Sequence, residues 1–249
     1  MRLAVAGKGG AGKTTISATV ARLAARSDRS VVAVDADANP NLAVALGMAP
    51  QAAASLGPVP PALVSRRLGG PSLTEPVDGV LDRFSLTGPD GVRLVGMGAP
   101  AHADEGCLCS AHAVVAALLD DLGADRGRLV VVDMEASPEH LSRGTIRHTD
   151  VVCFVAEPYY RSLETVSRMA ALAAELAIPR VVVVANKIRS AGDADAVADF
   201  CDRRGLPLVA TVPWSDAVAA ADQACAAVVD WPGTEPVTDA LMGLWERVA

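Results

Sequence analysis

Seven short runs of apolar, largely β-branched residues punctuate the chain, at 3–6, 31–35, 92–97, 129–134, 151–156, 180–186 and 207–212. They run nearly continuously apolar instead of alternating with polar residues, which predicts strands buried on both faces. Helical spacing fills the gaps at 14–25, 110–122, 161–177 and 193–204. This alternation predicts an α/β fold with a doubly wound, mostly parallel sheet of seven to eight strands. Residues 48–91 break the rhythm. They are rich in Pro, Gly and Ser, show no convincing long element, and read as an irregular excursion within a single domain spanning 1–249.

Composition adds little to that picture but excludes some roles. The chain is 51% hydrophobic and 20% charged, as in ordinary globular proteins. A net charge of −7 argues against binding nucleic acid or an anionic membrane, so neither partner is expected. The N-terminal apolar run stops at Lys8, too early for a signal peptide, and no uncharged run approaches the ~20 residues of a membrane span. A cytoplasmic, reducing location is expected. Five cysteines, an odd number, then argue against a disulfide framework and leave burial, metal or redox chemistry as readings.

The most specific chemistry is GKGGAGKTT at residues 7–15, directly after a strand and opening a helix. It satisfies the phosphate-binding P-loop pattern in its required context. Gly9, Gly10, Ala11 and Gly12 present backbone N–H groups to phosphate oxygens, and the helix N-terminus favours the same negative charge. Lys13 is expected on the β/γ-phosphates, the Thr14 hydroxyl on Mg²⁺, and Thr15 at the α-phosphate. Asp35 and Asp133 end two strands and are placed to hold water on Mg²⁺, although a strand-end aspartate also commonly caps a turn.

The extra lysine in KGGAGKT makes the chain similar to the ParA/MinD-like ATPases, P-loop NTPases of the deviant Walker A (SIMIBI) class. The resemblance implies ATP/ADP as ligand and an ATP-dependent homodimer in which Lys8 reaches the partner's nucleotide. It also implies that Asp37 positions the attacking water, and that Asn186 and the backbone at Pro213 contact adenine. Relatives carry a glycine where this chain has Ser137 followed by Pro138. Proline holds Ser137 extended, which puts the hydrolysis rate in question.

Cys107 and Cys109, in EGCLCSAH, precede a helix with Ser110 as expected N-cap. Two thiolates half-fill a tetrahedral metal shell. A two-fold dimer brings the same patch together twice, giving a shared four-thiolate site for Ni²⁺ or Zn²⁺. His112 reads as a possible outer ligand or, more simply, a surface histidine. Burial is expected for Cys153, Cys201 and Cys225.

Together with DADANPNL, GCLCSAHAVVAALL and DMEASPEHLSRGT, the P-loop resembles the CooC-type nickel-insertion ATPases that mature carbon monoxide dehydrogenase. That resemblance implies nickel held at the Cys-x-Cys pair and delivered to an apo-enzyme target. A positioning ATPase of ParA/MinD type and an iron–sulfur carrier of nitrogenase iron-protein type are the competing readings. The tail helix lacks the cluster of basic residues that membrane attachment needs, and the iron protein draws its cysteines from separate loops.

Overall fold

The computed structural model describes residues 1–67, 70–98, 109–125 and 127–249, with the side chains of residues 66 and 67 outside that description. In chain order the strands are β1 (Arg2–Gly7), β2 (Ser30–Ala36), β3 (Val64–Arg67), β4 (Gly70–Leu73), β5 (Leu86–Thr87), β6 (Arg93–Gly96), β7 (Arg128–Met134), β8 (Val151–Ala156), β9 (Arg180–Ile188) and β10 (Leu208–Pro213). Eight of them form one sheet in the order β10-β9-β8-β1-β7-β2-β6-β5. Every pairing is parallel except that of β5 with β6.

The helices are α1 (Lys13–Arg26), α2 (Leu42–Ala45), α3 (Pro50–Ala53), α4 (Val77–Phe84), α5 (Cys109–Leu122), α6 (Glu139–Ser142), α7 (Tyr160–Glu175), α8 (Ala191–Arg204), α9 (Asp216–Gln223) and α10 (Glu235–Val248). They cover both faces of the sheet, which explains why its strands are apolar throughout. Along β1, Leu3 and Val5 join the core beneath α1 and α10, while Ala4 and Ala6 join the core beneath α5, α7 and α8.

Two expectations change. The 48–91 excursion is more ordered than its composition predicts: it holds the antiparallel β3–β4 hairpin, the two-turn α4 and the antiparallel edge strand β5. These elements are too short to give a periodicity that sequence reading can detect. The tail is a helix packed on the domain, as expected, with Leu241, Leu244, Trp245 and Val248 buried.

Arg22 ties the excursion to the body. Its side chain, 3% exposed on α1, bonds Asp90 at 2.6 Å, Asp230 at 2.9 Å and the Leu46 carbonyl at 2.6 Å. A buried guanidinium satisfied on three sides holds three otherwise separate loops in register.

Candidate nucleotide site

Parallel strands end on one edge of the sheet, and open α/β sheets bind ligands beyond those carboxyl ends where the strand order reverses. Here β1 lies centrally, between β7 and β8. The P-loop leaves its end and turns into α1 through Gly12 at φ +98°, with no side chain capping the helix. The first-turn N–H groups are thus left for a phosphate.

A cavity of about 400 Å³ opens there, lined by Gly12, Lys13, Thr14, Asn186, Pro213 and Trp214, with Gly10 and Thr15 also on its wall. The polar end of this cavity is the P-loop. The other end, Val218, Ala219 and Leu241, is apolar enough for a flat base. Asn186 is buried and its amide donates to the Ala11 carbonyl at 2.7 Å. It therefore pins the P-loop as well as walling the cavity. A Cβ at position 12 would lie 2.4 Å from that amide, so both the backbone angle and the space require glycine.

Asp133 sits at the end of β7, in register with Val5 on β1 and with Asp35 on β2. Both carboxylates are 1% exposed. Burial pushes Asp133 up to about 7, against hydrogen bonds from Thr14 and Ser17 and with repulsion from Asp35 adding to the rise. Burial likewise lifts Asp35 to about 6, opposed by the backbone N–H groups of Leu42 and Asp37. The Oδ2 of Asp133 is buried without a hydrogen-bond partner among the described residues. An orphaned carboxylate oxygen beside the Thr14 hydroxyl fits a hydrated Mg²⁺, which would ionise both acids. Asp35 also caps α2, its Oδ2 accepting from Leu42 N at 2.9 Å.

Lys13 is buried. Its Nζ lies 3.4 Å from the Lys8 carbonyl, and burial lowers its pKa against the pull of Asp133, Asp37 and Glu135. Asp37 is half-buried on the loop after β2 and accepts from Asn39 N at 2.8 Å. Gly9 and Ala11 belong to the loop but not to the cavity wall. Lys8 is also outside the cavity, its Nζ 5.7 Å above the Tyr159 ring.

Sequence reading missed the residues that hold Lys8 and the P-loop from below. Tyr159 donates to Glu157 Oε2 at 2.8 Å, and Glu157 pairs with Lys187 at 3.0 Å. Lys187, left-handed at φ +59°, reaches the Gly10 carbonyl. The positive φ had no sequence signal, although Lys187 follows the Asn186 already singled out.

The cysteine end lies in a second cavity, of about 450 Å³, lined by Cys109, His112, Arg143, Thr145, Arg147 and His148. Cys107 lies outside the described residues. The helix starts at Cys109, one residue before the Ser110 expected to cap it. Cys109 is disulfide-bonded, and its Sγ accepts from Arg143 Nη1 at 3.1 Å. Among the described residues, no group of three or more His, Cys, Asp or Glu is placed to hold a metal ion.

His112 is not the surface residue expected. It is 4% exposed and packs edge-on against His140 with ring centroids 4.6 Å apart. Cys153 and Cys201 are buried as expected, but Cys225 is exposed, at φ +51° in the turn after α9. Ser137 stays out of the left-handed region and accepts from Glu139 N at 3.2 Å, which starts α6.

A P-loop at a central parallel strand, paired strand-end aspartates and a cavity with an apolar far end define a P-loop ATPase. The chain belongs to the CobQ/CobB/MinD/ParA nucleotide-binding domain family, whose model matches residues 3–225. It is similar to the carbon monoxide dehydrogenase accessory protein CooC of Rhodospirillum rubrum, at 36% identity over 100% of this chain and 97% of that one. An uncharacterized ATP-binding protein of Methanocaldococcus jannaschii is 33% identical over 88% of this chain and 87% of its own length. The fold is shared with the MinD cell division protein of Aquifex aeolicus, with a TM-score of 0.73 and 17% identity over 99% and 95% of the two chains. It is likewise shared with MinD from Pyrococcus horikoshii, at TM-score 0.74 and 16% identity, over 99% and 95%. No helix among the described residues is long and apolar enough to cross a membrane.

Proposed function

We propose that this chain is a homodimeric ATPase that carries a metal ion, nickel or zinc, for the maturation of carbon monoxide dehydrogenase. The observation that carries the reading is the place of Cys109: first residue of α5, facing a cavity with Arg143 and His112, in a chain alignable over its full length with a CooC protein. Once reduced, Cys107 and Cys109 of each subunit together supply four thiolates, the number a closed soft-metal site takes.

The residues divide the work as follows. The P-loop N–H groups and Lys13 bind the β/γ-phosphates and stabilise charge that builds as the terminal phosphoryl leaves. Thr14, with Asp35 and Asp133 through water, would hold Mg²⁺, which would neutralise phosphate charge when bound with the nucleotide. Asp37 orients the attacking water, and Lys8 leaves Tyr159 to reach the partner's nucleotide. Asn186 and Pro213 frame adenine. The metal is cargo: it is gripped by the shared thiolates and passed to the apo-enzyme when hydrolysis reopens the dimer.

A membrane-positioning role is disfavoured because the apolar stripe of α10 is already spent on the domain core. The deciding experiment is metal analysis of the reduced chain with ADP or ATP. About one Ni²⁺ or Zn²⁺ per two chains is expected, lost in the Cys107→Ser, Cys109→Ser double variant. Unchanged stoichiometry in that variant would sink the proposal.

A further inference from the structure

Trp214 follows directly on the end of β10, in the wall of the nucleotide cavity beside Pro213. At 40%, it is one of three large apolar side chains left exposed among the described residues. A ring of that size usually buries most of its surface, so its exposure inside a cavity calls for a reason. The indole is nonetheless held in place. The register of β10 on β9 shifts between Thr211 and Pro213, an irregularity of the kind that re-aims the side chains beside it. Just beyond it, Trp214 N donates to the Ile188 carbonyl at 2.9 Å and Nε1 donates to Asp216 Oδ1 at 3.0 Å.

Arg189 closes one side of the ring. Its Cζ stands 4.0 Å from the indole centroid, a cation–π contact. The backbone beneath it is fixed by the start of α8. Ser190 caps that helix by accepting from Asp193 N at 3.1 Å, and Asp193 Oδ2 accepts from Arg189 N at 2.9 Å. Trp214 lines the cavity and Arg189 does not. The guanidinium therefore covers the ring from outside, and the indole surface left over shares the cavity with Val218 and Leu241 at its apolar end.

We propose that Trp214, backed by Arg189, is the stacking platform for the nucleobase and makes this site prefer purines to pyrimidines. The inference rests on the placing of the base beside Asn186 and Pro213. Dispersion between stacked rings grows with the area they share, so the two fused rings of a purine gain more from an indole than a pyrimidine does. Stacking reads the face of a base and not its edge. Adenine and guanine therefore gain alike, and the choice between them falls to other groups. A ring already fixed before binding also loses little freedom when the base arrives. Trp214 is a binding residue, whereas Arg189, which touches the ring and not the nucleotide, is a positioning residue.

The test is calorimetric titration of the full chain, in Mg²⁺, with ADP, GDP, CDP and inorganic pyrophosphate. Trp214→Ala is expected to weaken ADP and GDP at least fivefold and CDP less than threefold. Pyrophosphate, which occupies only the P-loop end, should bind both chains equally and so shows that the variant keeps its fold. Trp214→Phe should retain most of the purine preference. Arg189→Ala should weaken ADP about threefold by freeing the ring, and Arg189→Lys should recover the loss by restoring a cation over it. Tryptophan emission should fall on adding ADP and respond little in Trp214→Phe, because Trp245 is buried and Trp231 lies off the cavity. A smaller loss of ADP affinity in Trp214→Ala, an equal loss for CDP, or a matching loss for pyrophosphate would each overturn the role of Trp214 alone. Wild-type ADP binding no tighter than CDP would overturn the placing of the base as well.

Discussion

Asp35 and Asp133 are cross-strand neighbours, paired in register on β2 and β7, and both carboxylates are almost wholly buried. Two acids in that position favour protonation when no cation is present, because burial penalises each charge and each repels the other.

That relationship sets the pH dependence of the nucleotide-free, Mg²⁺-free chain. Folded-state values of about 6 and about 7 lie above the ordinary aspartate value of 3.8, so the folded state binds more protons than the unfolded one between those limits. Stability from this pair is complete below the unfolded value and is lost as pH rises toward 7. Asp133→Asn, which keeps an oxygen for Ser17, is expected to flatten that slope. It should also raise stability at pH 8 by roughly 1–3 kcal/mol. Thermal melts at pH 5 and pH 8 check it; a variant with the wild-type slope would disprove the assignment.

Gly12 has no tolerated replacement. Gly12→Ala is expected to abolish nucleotide binding, since a Cβ would displace the Asn186 amide from its place on the Ala11 carbonyl. The left-handed backbone adds about 1–2 kcal/mol of strain. Asn186→Ala should weaken binding more mildly, by about tenfold, through a loosened P-loop. Equilibrium titration with a fluorescent ADP separates the two.

Lys8 rests on Tyr159 at 5.7 Å, clear of its own nucleotide cavity. Lys8→Gln is therefore expected to leave nucleotide affinity within threefold while lowering kcat by about 100-fold. ATP-dependent dimerisation, read by light scattering, should disappear with it. Retained hydrolysis would confine Lys8 to a structural role.

Arg22 and Arg26 share the partners Asp90 and Asp230 but differ in burial, with side-chain exposures of 3% and 38%. Arg22→Ala should cost about 1–3 kcal/mol, chiefly by leaving the buried Leu46 carbonyl without its donor, and Arg26→Ala less than about 1 kcal/mol. Urea unfolding of the two variants gives the ratio directly.

The unpaired cysteines should separate by reactivity. Burial pushes Cys153 up to about 12 and Cys201 to about 11, so neither should react with a thiol reagent in the native chain. Exposed Cys225 should react at once. Denaturant should release the two buried thiols together.

Much of the candidate nucleotide site was legible along the chain because its residues follow strands whose apolar runs are unmistakable. Asp35, Asp133, Asn186 and Pro213 each sit near a strand's carboxyl end, Lys13 and Thr14 open the helix after β1, and parallel packing carries all such ends to one edge. The 48–91 region was not legible, since hairpins and helices of four to eight residues offer too few periods to register. The exposure of Cys225 and the burial of His112 were misjudged for a common reason. Burial depends on what packs from elsewhere, here a turn at one site and His140 at the other.

The α/β alternation, the P-loop and the acids at the neighbouring strand ends can be read along the chain, because local spacing and backbone preference suffice for those. Tertiary packing was needed to show that Tyr159, Glu157 and Lys187 support the P-loop, and that His140 on α6 meets Ala36 while Arg143 at its end meets Cys109. Contacts such as Arg143 to Cys109 and Lys187 to Gly10, 34 and 177 positions apart, arise from strand order and side-chain packing, and no local pattern encodes them.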